Sequence, residues 1–289
     1  MSCRFRFSSM GAVAGVLAIA LPAHGADDRF LCWEPNTALM AADIEYWTPE
    51  RRAAAVNEVF GLVNPPDRAA ADAPMVAPAR ADVAVAPFSY GGKLFYTRGG
   101  QDFQASAQFV AMDNTVLAAA HSMYKGGNQA TNITFYRAYD GGGGTQFEID
   151  NAAVLAAWPD VADDPPSPQR SAFDYAVLKT RTDSAVGKFA LGKDAAFTDV
   201  TLIGYPAALD NGARMYKQPS QRVATIGDAF QAAPNQLTQG ASGGAWFTGD
   251  AAPFTAVSSI SSGGGGNVYG PVFKDLTEDL FAYVAGGCR

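Results

Sequence analysis

From Lys93 onward, apolar residues recur at every second position in short runs, and glycine, proline, asparagine or aspartate cuts off each run. Phe103, Ala105, Ala107 and Phe109 fall on one side while Gln104, Ser106 and Gln108 fall on the other, the alternation of a half-buried strand. Such short strands must pair into a sheet that closes or stacks, so the pattern predicts an all-β barrel or sandwich. Further strands are expected at Val116–Ala120, Ile133–Tyr139, Gln146–Ile149, Tyr175–Thr180, Val200–Tyr205, Met215–Lys217, Arg222–Ile226, Ala245–Phe247 and Phe254–Ile260. The 289 residues and 30 glycines suit a turn-rich all-β unit, which can run past ~200 residues as one domain. The chain ends as a helix, with Phe273, Leu276, Leu280 and Val284 on one face and Gly286 as its stop.

The beginning reads differently. Arg4 and Arg6, the apolar stretch from Gly11 to Leu21 and the small residues Ala23-His24-Gly25 have the layout of a signal peptide over residues 1–25. That apolar stretch is shorter than the ~20 residues a membrane crossing needs, so an exported protein, secreted or periplasmic, is expected with no membrane partner. Thr48-Pro49-Glu50 marks a helix start, and Val56, Val59, Phe60 and Val63 continue at helical spacing, predicting a helix from about 48 to 60. Pro65-Pro66 and the Ala/Pro-rich run from Ala69 to Pro87 read as a linker. Residues 26–83 are therefore expected to be an N-terminal extension or pro-region, and residues 84–289 the main domain. The glycine runs 141–144 and 263–266 lack the strand-to-helix setting of a dinucleotide loop and read as mobile surface loops.

Cleavage after residue 25 would remove Cys3 and His24, leaving Cys32, Cys288 and His121. Two cysteines in an oxidising compartment suggest one Cys32–Cys288 disulfide, worth roughly 4 to 5 kcal/mol in the chain-entropy account. It would tie the extension to the C-terminal end even if the linker were nicked. Net charge is −7 for the whole chain; without Arg4 and Arg6, 19 basic residues face 28 acidic ones, a net of −9. That balance disfavours nucleic acid as a partner. One histidine and two paired cysteines cannot build a zinc site, so no metal and no cofactor is expected. Asp163, Asp164 and the 140 loop could attract calcium, but acidic loops are ordinarily solvated.

The chemistry rests on three residues in the order His121, Asp174, Ser242. A serine hydroxyl needs an imidazole to take its proton and a carboxylate to hold that imidazole in the right tautomer. Ser242 lies between glycines, in a turn whose Gly240 and Ser242 N–H groups can form an oxyanion hole. Gly240-Ala241-Ser242-Gly243-Gly244 also fits the nucleophile elbow of α/β-hydrolases, but there the histidine follows the serine, and none does here. Asp163, Asp164 and Asp183 compete with Asp174 as the carboxylate; only Asp174 precedes an apolar strand.

With these residues in view, the stretch from about 84 to 289 resembles a trypsin-like, chymotrypsin-fold serine protease. Thr115 to His121 is similar to the family strand ending in Ala-Ala-His, Asp174-Tyr175-Ala176-Val177-Leu178 to its Asp-x-Ala-hydrophobic-Leu, and Gln239 to Gly244 to its Gly-x-Ser-Gly-Gly. Ser258-Ser259 before Ile260 resembles the strand lining the substrate cleft. Ile203-Gly204-Tyr205-Pro206, with no internal disulfides, looks closest to the bacterial glutamyl-endopeptidase branch. The resemblance implies two six-stranded antiparallel β-barrels with a C-terminal helix, here carrying an N-terminal helical extension. It also implies a secreted endopeptidase that cleaves protein or peptide substrates through an acyl-enzyme.

Departures bear on activation and specificity. Ala241 stands where animal enzymes place an acid that pairs with a newly freed amino terminus, so neither that ion pair nor an activation cut at Arg80-Ala81 is implied. Gln236 occupies the position that holds an acid in enzymes cutting after arginine or lysine. Ser258 lies nearest the place of the cleft histidine in glutamate-specific relatives. Gln236, Ser258 and Ser259 are therefore candidate substrate-binding residues, with a neutral or small-to-medium preference, and Ser259 is also a candidate second donor to Asp174. A catalytically silent, protease-like binding protein and an esterase with the same triad are the alternatives.

Overall fold

The computed structural model describes residues 27–36, 46–58, 76–237, 239–261 and 268–289. In chain order the strands are β1 (Phe30–Trp33), β2 (Val56–Asn57), β3 (Ala79–Arg80), β4 (Gly91–Arg98), β5 (Gln101–Phe109), β6 (Thr115–Ala118), β7 (Tyr124–Lys125), β8 (Asn128–Gln129) and β9 (Thr131–Asp140). They continue as β10 (Gly143–Leu155), β11 (Ala176–Thr180), β12 (Ala190–Leu191), β13 (Asp199–Gly204), β14 (Tyr216–Ile226), β15 (Ala229–Ala232), β16 (Ala245–Thr248), β17 (Thr255–Ser259) and β18 (Val268–Pro271). The α-helices are α1 (Pro49–Ala54), α2 (Ala120–Met123), α3 (Trp158–Val161), α4 (Pro168–Ser171) and α5 (Asp275–Ala285).

The first half closes on itself. β9 pairs with both β4 and β10, so β4, β5, β6, β11, β10 and β9 form a six-stranded antiparallel barrel. The long β10 makes closure possible: Gly143–Glu148 pair with β9, and after a register shift between Ile149 and Asn151 the strand pairs with β11. Leu94, Phe109, Val116, Phe135, Phe147 and Leu178 fill the inside, with Phe109 edge-on to Phe135 and Phe147 at 5.5 and 5.0 Å.

The second half is a sheet ordered β12-β17-β16-β13-β14-β15-β18, around a core that includes Leu202, Phe230, Trp246 and Val257. Its β17 and β18 sides are joined by the Ser261 N–H to Tyr269 O (3.0 Å) and by the Ser258 hydroxyl to Pro271 O (2.8 Å). The expected pair of barrels is thus one barrel closed by strand ladders and one sheet joined at its edges by these bonds. Met215–Lys217 and Arg222–Ile226, expected as two strands, fall, apart from Met215 just before it, in the single β14, which pairs first with β13 and then, past Gln221, with β15. Pro219 and its polar neighbours break the apolar pattern without breaking the ladder.

In α5, Thr277, Leu280, Phe281 and Val284 are buried, whereas Leu276 is 36% exposed and Phe273 is buried just before the helix. The N-terminal helix is shorter than expected. Thr48 caps α1, which ends at Ala54, and Val56 and Asn57 then pair in parallel with Phe103 and Gln104 of β5. A free strand edge thus captures a segment whose spacing also suited a helix; residues 59 and 60 lie outside the described residues.

The segment before residue 84 is built onto the barrel. β1 adds to β10, Trp47 is buried and donates its indole N–H to Asn132 O (2.6 Å), and Phe30 packs on Tyr283 of α5 at 5.2 Å. The Cys32–Cys288 disulfide is formed, with 6.4 Å between Cα atoms. Within the expected linker, β3 pairs with Tyr216–Lys217 through backbone alone, with both side chains exposed, which is why no side-chain pattern announced it. The 141–144 glycines turn β9 into β10 and are tied down by Gly141 N–H to Ala213 O (2.9 Å) and Arg52 Nη2 to Gly142 O (3.1 Å). The signal-peptide segment, Ala26 and the 263–266 glycines lie outside the described residues. No helix among the described residues is long and apolar enough to cross a membrane.

Candidate active site

The pairing of β6 with β11 sets the first two residues. Ala118 faces Ala176 across this antiparallel pair, so the residue three beyond Ala118 and the residue two before Ala176 emerge at the same end. These are His121, on the single turn α2, and Asp174. Both are fully buried. Asp174 grips the histidine twice: Oδ1 accepts the His121 backbone N–H at 2.8 Å and Oδ2 lies 2.7 Å from ring Nδ1. The ring therefore has its Nδ1 side and its own backbone fixed by one carboxylate.

A third group backs that carboxylate. The Ser261 hydroxyl donates to Asp174 Oδ2 at 2.5 Å and lies 3.0 Å from Ser171 Oγ. Burial alone pushes the Asp174 carboxyl up, but the His121 ring, Arg170 and the Ser261 hydroxyl outweigh it and hold Asp174 below the usual carboxylate range. This corrects the expectation for Ser259: the second donor is Ser261, two residues on. Ser259 Oγ is buried with no hydrogen-bond partner among the described residues, and Ser258 spends its hydroxyl on Pro271 O. Gln236 is exposed, with its backbone N–H donated to Gln218 Oε1 at 2.9 Å. Asp163, Asp164 and Asp183 are exposed.

The Ser242 turn is pinned onto β5 by the polar face of that strand. Ser106 donates its N–H to Ser242 O (2.9 Å) and its hydroxyl to Gly240 O (2.8 Å), while Gln108 Nε2 reaches Gly243 O (2.9 Å). Gln104, Ser106 and Gln108 are thus buried, and β5 is not the half-buried strand its alternation predicted, because its polar side meets the second half of the molecule. Sequence reasoning missed Ser106, Gln108 and Ser261. The signal for the first two was present, since polar residues alternating with an apolar face can line an interface as well as face water.

Gly243 has φ +80, and a Cβ there would lie 2.5 Å from Ser106 O and 2.7 Å from Ala119 N. The turn therefore packs directly on the backbone two residues before His121. Ser242 itself is 3% exposed. The N–H groups of Gly243 and Gly244 are committed to Ile260 O (2.8 Å) and Ala241 O (2.9 Å), and Gly240 sits in the left-handed region at φ +89. Among the described residues no cluster of three histidine, cysteine, aspartate or glutamate side chains could hold a metal ion.

No family model and no curated protein matches the chain. Solved structures do. The thermostable serine protease AL20 from an extremophilic microorganism aligns at 24% identity and a TM-score of 0.59, over 68% of this chain and 97% of that one. Protease Anisep from Arthrobacter nicotinovorans aligns at 23% and 0.60, over 73% and 100%. A Glu endopeptidase solved with MPD aligns at 16% and 0.58, over 73% and 97%. Likeness at this level of identity fixes the fold, which is the chymotrypsin-like architecture of these proteases.

Proposed function

We propose that the protein is an exported serine endopeptidase acting on protein or peptide substrates. The observation that carries the reading is the buried, doubly hydrogen-bonded His121–Asp174 pair, set beside a Ser242 turn that packs on Ala119. A completely buried carboxylate aimed at the Nδ1 side of a histidine is what a general base requires, because it selects the tautomer whose Nε2 is free of a proton and stabilises the imidazolium that forms.

In this reading His121 takes the Ser242 proton as Oγ attacks the scissile carbonyl, and the N–H groups of Gly240 and Ser242 hold the developing oxyanion. The imidazolium then protonates the leaving amine, and water releases the acyl group by the same route. The commitment of the Gly243 and Gly244 amides elsewhere supports assigning the oxyanion to the earlier part of the turn. The Cys32–Cys288 bond is consistent with an oxidising destination, secreted or periplasmic.

The reading is tested by labelling with a fluorophosphonate. The native protein is expected to be modified at Ser242, and Ser242→Ala is expected to lose both labelling and peptide turnover by several orders of magnitude with an unchanged melting temperature. A native protein inert to the probe would be a silent relative of the proteases, and one that cleaves only small esters would be an esterase.

A further inference from the structure

The N-terminal segment reaches the back of the candidate active site. After α1 the chain runs along β5 as β2, where Asn57 meets the Ser242 turn directly and Glu58 reaches the His121 turn through Arg98. Asn57 Oδ1 lies against Gly240, where any Cβ would collide with it. Glu58, only 7% exposed, meets Arg98 at the end of β4, which is itself 8% exposed.

Arg98 is the hub. Its guanidinium forms an ion pair with Glu58 and donates from Nη1 to the backbone carbonyl of His121 and to Ser122 O (2.9 Å). Tyr96 adds a hydroxyl to Glu58 Oε2 at 3.1 Å, and Lys125 Nζ approaches Oε1 at 3.8 Å. Phe103 stacks on Tyr96 and lies beneath Arg98 at 5.0 Å, closing the pair from water. Burial pushes the Glu58 carboxyl up, but the neighbouring His121, Arg98 and Lys125 outweigh it and keep it below the usual range. A charged pair buried this deeply is costly to assemble unless its hydrogen bonds are filled, and here they are filled by the backbone of the histidine turn.

We infer that Glu58 is a positioning residue for His121: with Arg98 it clamps the carbonyls of His121 and Ser122, and it sets a second carboxylate behind the histidine turn. The N-terminal segment is then a working part of the site, and its loss would leave Arg98 buried, unpaired and next to the histidine. The inference rests on the proposed role of His121 as general base.

The charged and titratable groups around His121 are Asp174 ahead of β11, Arg170 on α4, Glu58 beyond β2, Tyr96 and Arg98 on β4, and Lys125 on β7. Replacing Glu58 by glutamine keeps the shape and removes the one negative charge that offsets Arg98. In Glu58→Gln the His121 titration, followed by NMR of the disulfide-bonded protein without residues 1–25, in which His121 is the one histidine, is expected to move to lower pH by about half a unit or more. The acid limb of kcat is expected to follow it, with kcat down about tenfold and KM within about twofold. Glu58→Asp, which keeps the charge but draws it back by one methylene, should give a smaller shift in the same direction.

An unmoved titration with unchanged kcat in folded Glu58→Gln overturns the inference, as does a rise in kcat, which would make the segment a restraint. Should Glu58→Gln fail to fold, Glu58→Asp carries the test, and an unmoved midpoint there overturns it equally. The NMR titration needs no turnover. A protein without peptidase activity whose midpoint still moves would refute the proposed function while supporting the Glu58 clamp.

Discussion

At the scale of single residues, Asp174 carries the most consequence. Its folded-state pKa lies below the 3.8 of an ordinary aspartate, so on acidification the unfolded chain takes up this proton before the folded one. The stability it contributes is fully present above pH ~3.8 and is lost as pH falls through its depressed folded value. Asp174→Asn is therefore expected to lose less stability than the native protein between pH 5 and pH 2, as read from urea midpoints. The same variant should lose about 10⁴ in kcat near neutrality, because the amide favours the wrong histidine tautomer. The pairing of His121 with Asp174 was legible as chain order and flanking residues. Ser261 was not: the stretch from Ser258 to Ser261 offers three hydroxyls, and only the end of β17 at Ser259 and the bond from Ser261 N–H to Tyr269 O decide which one faces Asp174.

At the scale of elements, β5 joins the two halves of the molecule. One face fills the barrel, while the side chains of Ser106 and Gln108 on the other hold three carbonyl or amide groups of the Ser242 turn and of Tyr205. Gln108→Leu is expected to leave Gly243 O without its side-chain donor, at a cost of about 1–3 kcal/mol in stability. Turnover should fall with it, while disulfide formation and the fluorescence of the barrel tryptophan Trp158 stay as they are. Alternation alone gave the strand and its two faces correctly. Which face meets water depends on the second sheet arriving from more than a hundred residues away, and no local pattern records that. The same holds for β2 and β3, which exist through backbone pairing to strands remote in sequence and leave almost no trace in side-chain type.

At the scale of the whole molecule, the segment before residue 84 shares a buried core with both halves and the C-terminal helix, with Trp47 among the largest fully buried side chains. Its sequence reads as an N-terminal extension or pro-region with a linker, since short apolar patches divided by proline and alanine do not announce the surface they pack on. Reducing the Cys32–Cys288 bond is expected to lower stability by up to about 5 kcal/mol in the loop-entropy account, measured as a fall in the melting temperature with dithiothreitol. Peptidase activity below that new melting temperature should persist, because β1 and Trp47 stay docked by non-covalent contacts.

With its two extremities bonded to each other, the polypeptide from Cys32 to Cys288 is covalently a ring. Where a ring is opened matters little to the packing inside it. A circular permutant that joins these ends by a short peptide and begins instead at Gly142, in the exposed turn between β9 and β10, is expected to fold to the same barrel and retain the turnover of the parent.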